Sequence, residues 1–327
     1  MKALIVGLGS IGTRHLNNLY ALGIRELNVF RSRNLTPPDT IPDNVSVFHD
    51  YDEALSGGPE IVVIANPTSY HLQFAQKALE AGCHLYIEKP VSHTLEDTEN
   101  LMKTAKDKKR IVAVGCQLRF HSHLEHIRKW LEQGRVGKVL SVSVDMGEYL
   151  PEWHPWEDYR QSYTARADMG GGVVLTLIHE IDYVYWLFGR VSRVYATGGH
   201  LTSLDIDVED TALVSLWTQQ GVPIQLRMDY WRKPPVRTMN IVGEKGEIAW
   251  DYYKGEIILS DRDSNKEHVE LPETWDRNDM FIATMQNFLE SIQNRSVPRT
   301  PLSEGIEVLK IALAAKTSIC QQKAIEL

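Results

Sequence analysis

The chain has 327 residues, 43% of them hydrophobic and 24% charged, which is enough for about two globular domains with sizeable cores. Its net charge of −8 without a basic patch argues against a nucleic-acid or membrane-surface binder, and its three scattered cysteines resemble neither a disulfide framework nor a zinc site. A strand begins directly after Met1 and no apolar run approaches a membrane span, so we expect no signal peptide, no membrane segment and a cytoplasmic location.

The first fifteen residues carry the most informative pattern. Residues 3–6 form a continuous apolar run, typical of a parallel strand buried on both faces, and a helix-compatible segment follows at 11–22. The turn between them is a G-x-G-x-x-G with the residues Gly7, Gly9, Ser10, Ile11 and Gly12. The first glycine permits a tight turn, the second a close pyrophosphate and the third a close helix, so the turn predicts a dinucleotide site at a helix N-terminus. A glycine-rich turn without a ligand is the alternative.

The second predicted strand, residues 26–30, bears on the choice of cofactor. An NAD-binding unit usually has an acidic residue near the end of this strand, where it accepts hydrogen bonds from ribose hydroxyls. Here Arg31, Ser32 and Arg33 follow instead. Two guanidinium groups and a hydroxyl can hold a 2′-phosphate, which a carboxylate would repel, so we predict that NADP is preferred over NAD. Simply solvated surface arginines are the alternative.

Strands and helices alternate through the first 115 residues, which predicts a doubly wound parallel sheet. The further strands are expected at 45–48, 60–65, 83–87 and 111–115, and the helices at 51–55, 69–81 and 95–106. Ligands of such sheets bind beyond the carboxyl ends of the strands. Residues at or just after those ends, and therefore expected to contact the cofactor, are Asn66, Pro67, His71, Glu88, Lys89 and Gln117.

Lys89 stands out because it follows a strand directly and precedes Pro90. Its ammonium group could donate a hydrogen bond to a reacting hydroxyl and lower the pKa of a neighbouring acid. From the residues alone, a surface lysine near a turn is an equally good explanation.

The segments GLGSIGTRH, ANPTSYH and IEKPVSHTLED resemble the glucose–fructose oxidoreductase, inositol dehydrogenase and MocA (Gfo/Idh/MocA) family, and the resemblance extends over essentially the whole chain. Residues 170–182 resemble the second signature of that family. The resemblance implies a Rossmann domain at residues 1–120 and an α/β domain with a large, open, mostly antiparallel sheet at 121–327. It also implies that Lys89 is the catalytic lysine and that His179 is an acid/base or substrate-orienting histidine.

The chain departs from the family pattern at one position. Many members carry an aspartate four residues before the histidine, whereas this chain has Leu175 there, or Thr176 if the register slips by one. A leucine side chain neither accepts nor donates a proton. Either Lys89 and His179 manage the proton transfer without that carboxylate, or another group replaces it.

An aromatic, charged loop at 153–163 provides candidates for substrate binding. Aromatic faces combined with polar groups suit sugars, and an arginine can bind a carboxylate or phosphate with two hydrogen bonds. The expected substrate contacts are Lys89, Arg119, Trp156, Tyr159, Arg160, His179 and Asp182. A loop packed by its own tryptophans is the alternative. Because adjacent helical residues point to different faces, His179 and Glu180 do not suggest a metal site.

The second half reads as a meandering sheet with flanking helices. Strands are predicted at 139–145, 191–198, 211–218, 222–230, 237–243, 246–251 and 256–260, and helices at 124–131, 172–188, 279–294 and 301–321, the last of which could pack on the first domain. A sheet face without helices would leave a large apolar patch, which predicts a homodimer or homotetramer.

These patterns together predict an NADP-preferring oxidoreductase that acts on a secondary alcohol or ketone of a sugar-like small molecule. The aromatic loop favours a sugar nucleotide or sugar acid of surface-polysaccharide synthesis. The resemblance of residues 176–182 to inositol dehydrogenases keeps an inositol or free-sugar dehydrogenase open, and the missing carboxylate at Leu175 keeps open a non-catalytic, cofactor-binding sensor.

Overall fold

The computed structural model describes residues 1–32, 41–42 and 45–327, so the predicted cofactor contact Arg33 lies outside the described residues. The chain divides into two compact units. One contains Met1–Gln117 and Asp276–Glu307, and the other contains Leu118–Trp275 and Val308–Leu327. The first unit therefore includes a segment near the C-terminus that the family resemblance placed in the second domain.

The first unit contains a six-stranded parallel sheet. Its strands are β1 (Lys2–Val6), β2 (Glu26–Phe30), β3 (Ser46–Phe48), β4 (Ile61–Ile64), β5 (His84–Ile87) and β6 (Val112–Val114). They lie in the order β3-β2-β1-β4-β5-β6, and every neighbouring pair is parallel. The residues of β4 are fully buried, as a continuous apolar run predicts for a central parallel strand.

The described helices belong to both units. They are α1 (Ser10–Ala21), α2 (Tyr51–Ser56), α3 (His71–Glu80), α4 (Thr98–Asp107), α5 (Ser122–Glu132), α6 (Val173–Thr176), α7 (His179–Phe188), α8 (Asn278–Asn294) and α9 (Leu302–Gln321). Among these, no helix combines the length and apolar character needed to cross a membrane.

Two apolar clusters cover the two faces of the parallel sheet, because successive side chains of a strand point to opposite faces. Leu4 of β1 belongs to one cluster and its neighbour Ile5 to the other. Phe288 of α8 packs in the cluster with Ile5, and Ile306 of α9 packs in the cluster with Leu4. The segment from the end of the chain thus completes both cores of the first unit.

The second unit contains a nine-stranded sheet. Its strands are β7 (Val139–Gly147), β8 (Val191–Gly199), β9 (Thr211–Thr218), β10 (Pro223–Asp229), β11 (Val236–Gly243), β12 (Gly246–Asp251), β13 (Glu256–Asp261), β14 (Lys266–Glu270) and β15 (Ile325–Glu326). They lie in the order β14-β13-β12-β11-β7-β10-β9-β8-β15. Strands β7 and β10 pair in parallel, and the other described neighbours are antiparallel.

Alternation along the strands gives this sheet one covered and one open face. In β10, Ile224 and Leu226 are buried while Gln225 and Arg227 are exposed. The parallel sheet and this mostly antiparallel sheet confirm the predicted α/β fold class.

The structure corrects the predicted helix at 172–188, which is two helices. The short helix α6 ends at Thr176, and Leu177 leaves helical geometry with ψ near 28°. A new helix, α7, then starts at His179. The break places this histidine at the first residue of a helix rather than in its middle.

Candidate active site

The glycine turn after β1 distinguishes two kinds of glycine. Gly7 has a φ of +93°, and a Cβ there would lie 2.9 Å from the carbonyl oxygen of Ala65. A Cβ at Gly12 would lie 2.0 Å from the carbonyl oxygen of Gly7. The fold itself therefore requires glycine at these two positions.

Gly9 is different. Its φ is −78°, which any residue adopts, and no atom of the described residues beyond its chain neighbours lies within 4 Å of a Cβ built there. The first helical turn of α1 begins with Ser10 and Ile11 and has no acidic residue, so no carboxylate competes for its positive dipole end. The space beside Gly9 fits the close approach of a pyrophosphate.

Other predicted cofactor contacts gather at the same edge of the first sheet, since the carboxyl ends of parallel strands share one edge. Asn66 and Pro67 follow β4, Lys89 follows β5, and Gln117 begins a short 3-10 helix after β6. At the end of β2, Arg31 is partly exposed and Ser32 exposed, and the Arg31 N–H donates to the carbonyl of Phe48.

Two of the predicted cofactor contacts, Glu88 and His71, are buried and have partners within the protein. Glu88 is 7% exposed, and its Oε1 lies 2.7 Å from Nε2 of His15. His71 is 1% exposed and lies between two carbonyl oxygens, those of Asn66 and Pro90. The sequence pattern correctly put these side chains near strand ends but could not reveal which groups they face.

In the second unit, His179 begins α7 and is followed by two fully buried carboxylates. Glu180 pairs with Arg237 of β11 across 2.9 Å. Asp182 receives hydrogen bonds on both oxygens from Nε of Arg119, at 3.1 and 3.0 Å, and a further one of 2.6 Å from Nη2. Two buried ion pairs therefore fix the start of the helix that carries His179.

The electrostatics of the Glu180–Arg237 pair favour the charged state. Burial alone would lower the pKa of Arg237, but the carboxylate of Glu180 outweighs it and holds that pKa above its ordinary value. A buried charge is tolerated because its partner is fixed beside it.

The predicted substrate contacts Arg119 and Asp182 bind each other in the structure. The two side chains are 1% and 0% exposed, and their ion pair braces α7. They are far apart in the sequence, and no local pattern indicates that they meet. Leu175, at the position of the usual family aspartate, is 2% exposed and contributes to the core.

Two glycines of the triplet before α6, Gly171 and Gly172, are packed by the protein's own groups. A Cβ at Gly171 would lie 2.4 Å from the carbonyl oxygen of Tyr163, and one at Gly172 would lie 2.4 Å from the carboxylate of Glu209. That carboxylate accepts hydrogen bonds of 2.9 and 2.8 Å from Nζ of Lys316. The sequence analysis missed Glu209 and Lys316, which carry no signal without the fold.

The aromatic loop holds the remaining predicted substrate contacts. Trp156 is 73% exposed, and the Tyr159 hydroxyl accepts a hydrogen bond from the backbone of Asp205. Arg160 donates to both carboxylate oxygens of Asp158, at 2.8 and 2.9 Å, and these bonds lower the pKa of Asp158. The arginine side chain keeps 55% of its exposure, so it remains accessible to a ligand.

A cavity of about 640 Å³ on the second unit does not contain the predicted site. Its polar lining is already paired: Arg232 lies 3.3 Å from Asp229, and Thr202 and Thr211 both donate to Asp210. None of its lining residues is a predicted catalytic or binding residue, so we do not assign the chemistry to it. Within the described ranges, no group of three or more histidine, cysteine or acidic side chains is arranged to hold a metal ion.

Comparison with known protein families agrees with the geometry. Residues 1–116 match the oxidoreductase family with an NAD-binding Rossmann fold, and residues 124–249 match the GFO/IDH/MocA C-terminal domain. The chain belongs to the Gfo/Idh/MocA family. The resemblance inferred from the sequence is thereby confirmed, and the chain is an NAD(P)-dependent oxidoreductase whose first unit carries an NAD(P)-binding Rossmann fold.

Relatives and solved structures of this family act on several sugar-like compounds. The myo-inositol 2-dehydrogenase of Thermotoga maritima is 24% identical over 345 residues, covering 100% of this chain and 98% of its own length. A levoglucosan dehydrogenase in complex with NADH superposes with a TM-score of 0.89 at 18% identity, covering 100% of this chain and 98% of that one. The WlbA dehydrogenase of Bordetella pertussis, in complex with NADH and UDP-GlcNAcA, has a TM-score of 0.82 at 21% identity and covers 98% of its length and 100% of ours.

Proposed function

We propose that the protein transfers a hydride between NADP(H) and a secondary alcohol or ketone of a sugar-like substrate. The observation that carries this proposal is the open space at Gly9. A pyrophosphate in that space meets the N–H groups at the start of α1. The order of the strands also reverses between β1 and β4, which is where open α/β sheets bind nucleotides.

The chemistry is divided between Lys89 and His179. Lys89 donates a hydrogen bond to the substrate oxygen and stabilises the negative charge that develops there, and His179 accepts or returns the hydroxyl proton. When bound, the nicotinamide supplies the hydride donor or acceptor. Asn66, Pro67 and Gln117 contact the cofactor together with the turn at Gly9.

Hydride transfer can be followed by the absorbance of the nicotinamide while sugar nucleotides, sugar acids, inositol and free hexoses are offered in turn. We expect turnover with at least one of these classes, and a loss of kcat of about 10²-fold or more in Lys89→Met and in His179→Gln. A protein that binds cofactor but turns over none of them is instead a cofactor-binding sensor.

We propose a sugar nucleotide or sugar acid as the substrate because the loop with Trp156, Tyr159 and Arg160 combines an exposed aromatic face with an accessible guanidinium group. The WlbA structure with UDP-GlcNAcA supports this choice. An inositol or free sugar is the second candidate, supported by the inositol dehydrogenase that matches the entire chain. Stabilisation by inositol or hexoses, with no response to sugar nucleotides or sugar acids, would reverse the order.

The preference for NADP rests on Arg31 and Ser32, which follow β2 without an acidic residue. Fluorescence titration should give a lower Kd for NADPH than for NADH in the unmodified chain. Arg31→Asp should reverse that order, because a carboxylate repels the 2′-phosphate and accepts hydrogen bonds from the ribose. If NADH bound as tightly as NADPH or more tightly, Arg31 would be a solvated surface charge without a role in cofactor choice.

We also propose that the protein is a cytoplasmic homodimer or homotetramer assembled through the open face of the second sheet. That face presents Leu213 and Val242, which are both 40% exposed. Replacing Leu213 with Glu should weaken assembly, because it buries a charge in the interface. The proposal would be contradicted if sedimentation equilibrium gave the mass of a monomer for the unmodified protein at micromolar concentration.

A further inference from the structure

Two buried histidines hold the tripeptide Glu88-Lys89-Pro90 from its two ends. His15 lies in α1, directly after the glycine turn, and contacts Glu88. His71 begins α3 and contacts Pro90. The proposed catalytic lysine therefore sits between two residues that are each held by an imidazole ring.

The contact at the first end is a buried hydrogen bond between an imidazole ring and a carboxyl group. His15 is 0% exposed, and its Nε2 lies 2.7 Å from Oε1 of Glu88. Because a carboxylate only accepts, the proton of this bond is on Nε2 of the histidine. The other carboxylate oxygen accepts the backbone N–H of Lys89 at 3.3 Å. A Cβ at Gly115 would come within 2.7 Å of the carboxylate, so a larger residue there would crowd its position.

The contact at the second end joins two strand ends. Nδ1 of His71 lies 2.9 Å from the carbonyl oxygen of Pro90, and Nε2 lies 2.8 Å from that of Asn66. Burial lowers the pKa of His71, although both carbonyl groups oppose that shift. A neutral imidazole ring has one N–H group. It therefore donates a hydrogen bond to the carbonyl oxygen of either Asn66 or Pro90, but not to both at once.

We propose that His15 and His71 are positioning residues that hold the backbone on both sides of Lys89 and thereby fix the position of its ammonium group. This inference rests on the proposed role of Lys89. It also gives a purpose to Glu88 and His71, two residues whose sequence context suggested cofactor contacts. A displacement of about 1 Å at a reacting group can cost about 10²-fold in rate, so such a brace has a measurable effect.

Amide side chains can separate the individual hydrogen bonds. The amide nitrogen of glutamine reaches the place of Nε2 in histidine, and that of asparagine reaches the place of Nδ1. His15→Gln therefore keeps the bond to Glu88, whereas His15→Leu removes it. His71→Asn keeps the bond to Pro90, whereas His71→Gln keeps only the bond to Asn66.

We expect His15→Leu and His71→Gln to lower kcat by about 10- to 100-fold, with the Kd of the nicotinamide cofactor changed less than about threefold. His15→Gln and His71→Asn should recover most of the lost rate. Tyr86→Phe is the matched control: the ring packs 4.9 Å from His15, and its hydroxyl has no hydrogen-bond partner in the described chain. If His15→Leu does not fold, Glu88→Met carries the same expectation, because it keeps the length of the side chain and removes the oxygen that accepts the hydrogen bond of His15.

A second readout does not depend on turnover. Lysines of the full-length protein are dimethylated with ¹³C-formaldehyde, and the Lys89 resonance is assigned by its loss in Lys89→Arg. We expect His15→Leu and His71→Gln to move that resonance and its titration midpoint, and Tyr86→Phe to leave both in place. A Lys89 resonance that is the same in all three variants overturns the inference. If the unmodified protein turned over no substrate, the proposed function would be overturned. The Lys89 resonance would still test whether His15 and His71 position that lysine.

Discussion

The two glycine-rich turns of this protein look alike in sequence and differ in what surrounds them. In the first unit, Gly7 and Gly12 press against backbone atoms, but Gly9 has open space beside it. In the second unit, Gly171 and Gly172 are both closely covered by the protein's own oxygen atoms. A glycine is a sign of a ligand only where the fold alone does not require it, and in these turns Gly9 meets that condition.

The same contrast applies to the two proposed catalytic residues. Lys89 follows β5, and hydrogen bonds from His15 and His71 hold its two chain neighbours, Glu88 and Pro90. His179 begins a helix that is fixed by two buried ion pairs, those of Asp182 and Glu180. Removing one partner should therefore cost more stability in the second unit than in the first.

The largest expected effect is that of Asp182→Asn. The substitution leaves the buried guanidinium of Arg119 without its counter-charge, and such a loss costs about 3–5 kcal/mol of unfolding free energy. Urea unfolding measures it directly. The double variant Arg119→Met with Asp182→Leu should recover much of the stability, because no charge then remains buried. A loss below about 1 kcal/mol in Asp182→Asn would mean that water reaches this pair.

Gly172→Ala tests whether the second turn is closed by the protein. Gly172 has a φ of +102°, and its added Cβ would meet the Glu209 carboxylate that Lys316 holds. We expect a loss of about 2–3 kcal/mol from strain and overpacking together. Gly221→Ala is the control, since its φ is +81° and no described atom lies within 4 Å of its Cβ. If the two variants lost equal free energy of unfolding, backbone strain alone would explain the loss and contact with Glu209 would play no part.

Buried histidines of the second unit give a smaller, pH-dependent effect. His121 lies among aromatic rings, 5.7 Å from Trp250 and 5.2 Å from Trp275. Burial lowers its pKa to about 3, and the charges of His123 and Arg237 act in the same direction. Burial likewise lowers the pKa of His123 to about 4, with His126 adding to the shift.

The sign of the pH effect follows from these shifts. Below about pH 6.5 these histidines bind protons in the unfolded chain but stay neutral in the folded chain. The free energy of unfolding is therefore highest above pH 6.5 and falls as the pH decreases toward 4. Each histidine contributes a slope of about 1.4 kcal/mol per pH unit. His121→Asn keeps an acceptor for the N–H of His123 and should remove one such slope from urea unfolding between pH 6.5 and 5. An unchanged slope would show that His121 titrates normally.

Much of the fold could be predicted from the sequence because its strands are strongly patterned. The apolar run of β4 and the alternation of β9 and β12 gave the correct element type and nearly correct ends. Strand β14, with the sequence KEHVE, was missed because an exposed edge strand has no apolar alternation. The break at Leu177 was missed because the apolar run continues across it without the glycine or proline that would signal the end of a helix.

The residues of the site could be predicted only where a short segment of sequence determines their position. The glycine turn and the strand-end position of Lys89 follow from short segments. The partners of Asp182, Glu88 and His71 do not, because each depends on tertiary packing that brings separate segments of the chain together. A sequence shows that a residue is charged but not that the fold buries it beside an opposite charge. For this reason Arg119 and Asp182 were expected to face a substrate, and their ion pair was not foreseen.

The most direct test of the account is a titration of NADPH and NADH into the unmodified chain and into Gly9→Ala. We predict the same thermal unfolding midpoint for the two proteins, because the added methyl group meets no described atom of the fold. We predict that the Kd of the cofactor rises by about tenfold or more in Gly9→Ala, a change of about 1.4 kcal/mol, because the methyl group occupies the place of the pyrophosphate. Equal cofactor binding by the two proteins would contradict the central claim that this space is a nucleotide site.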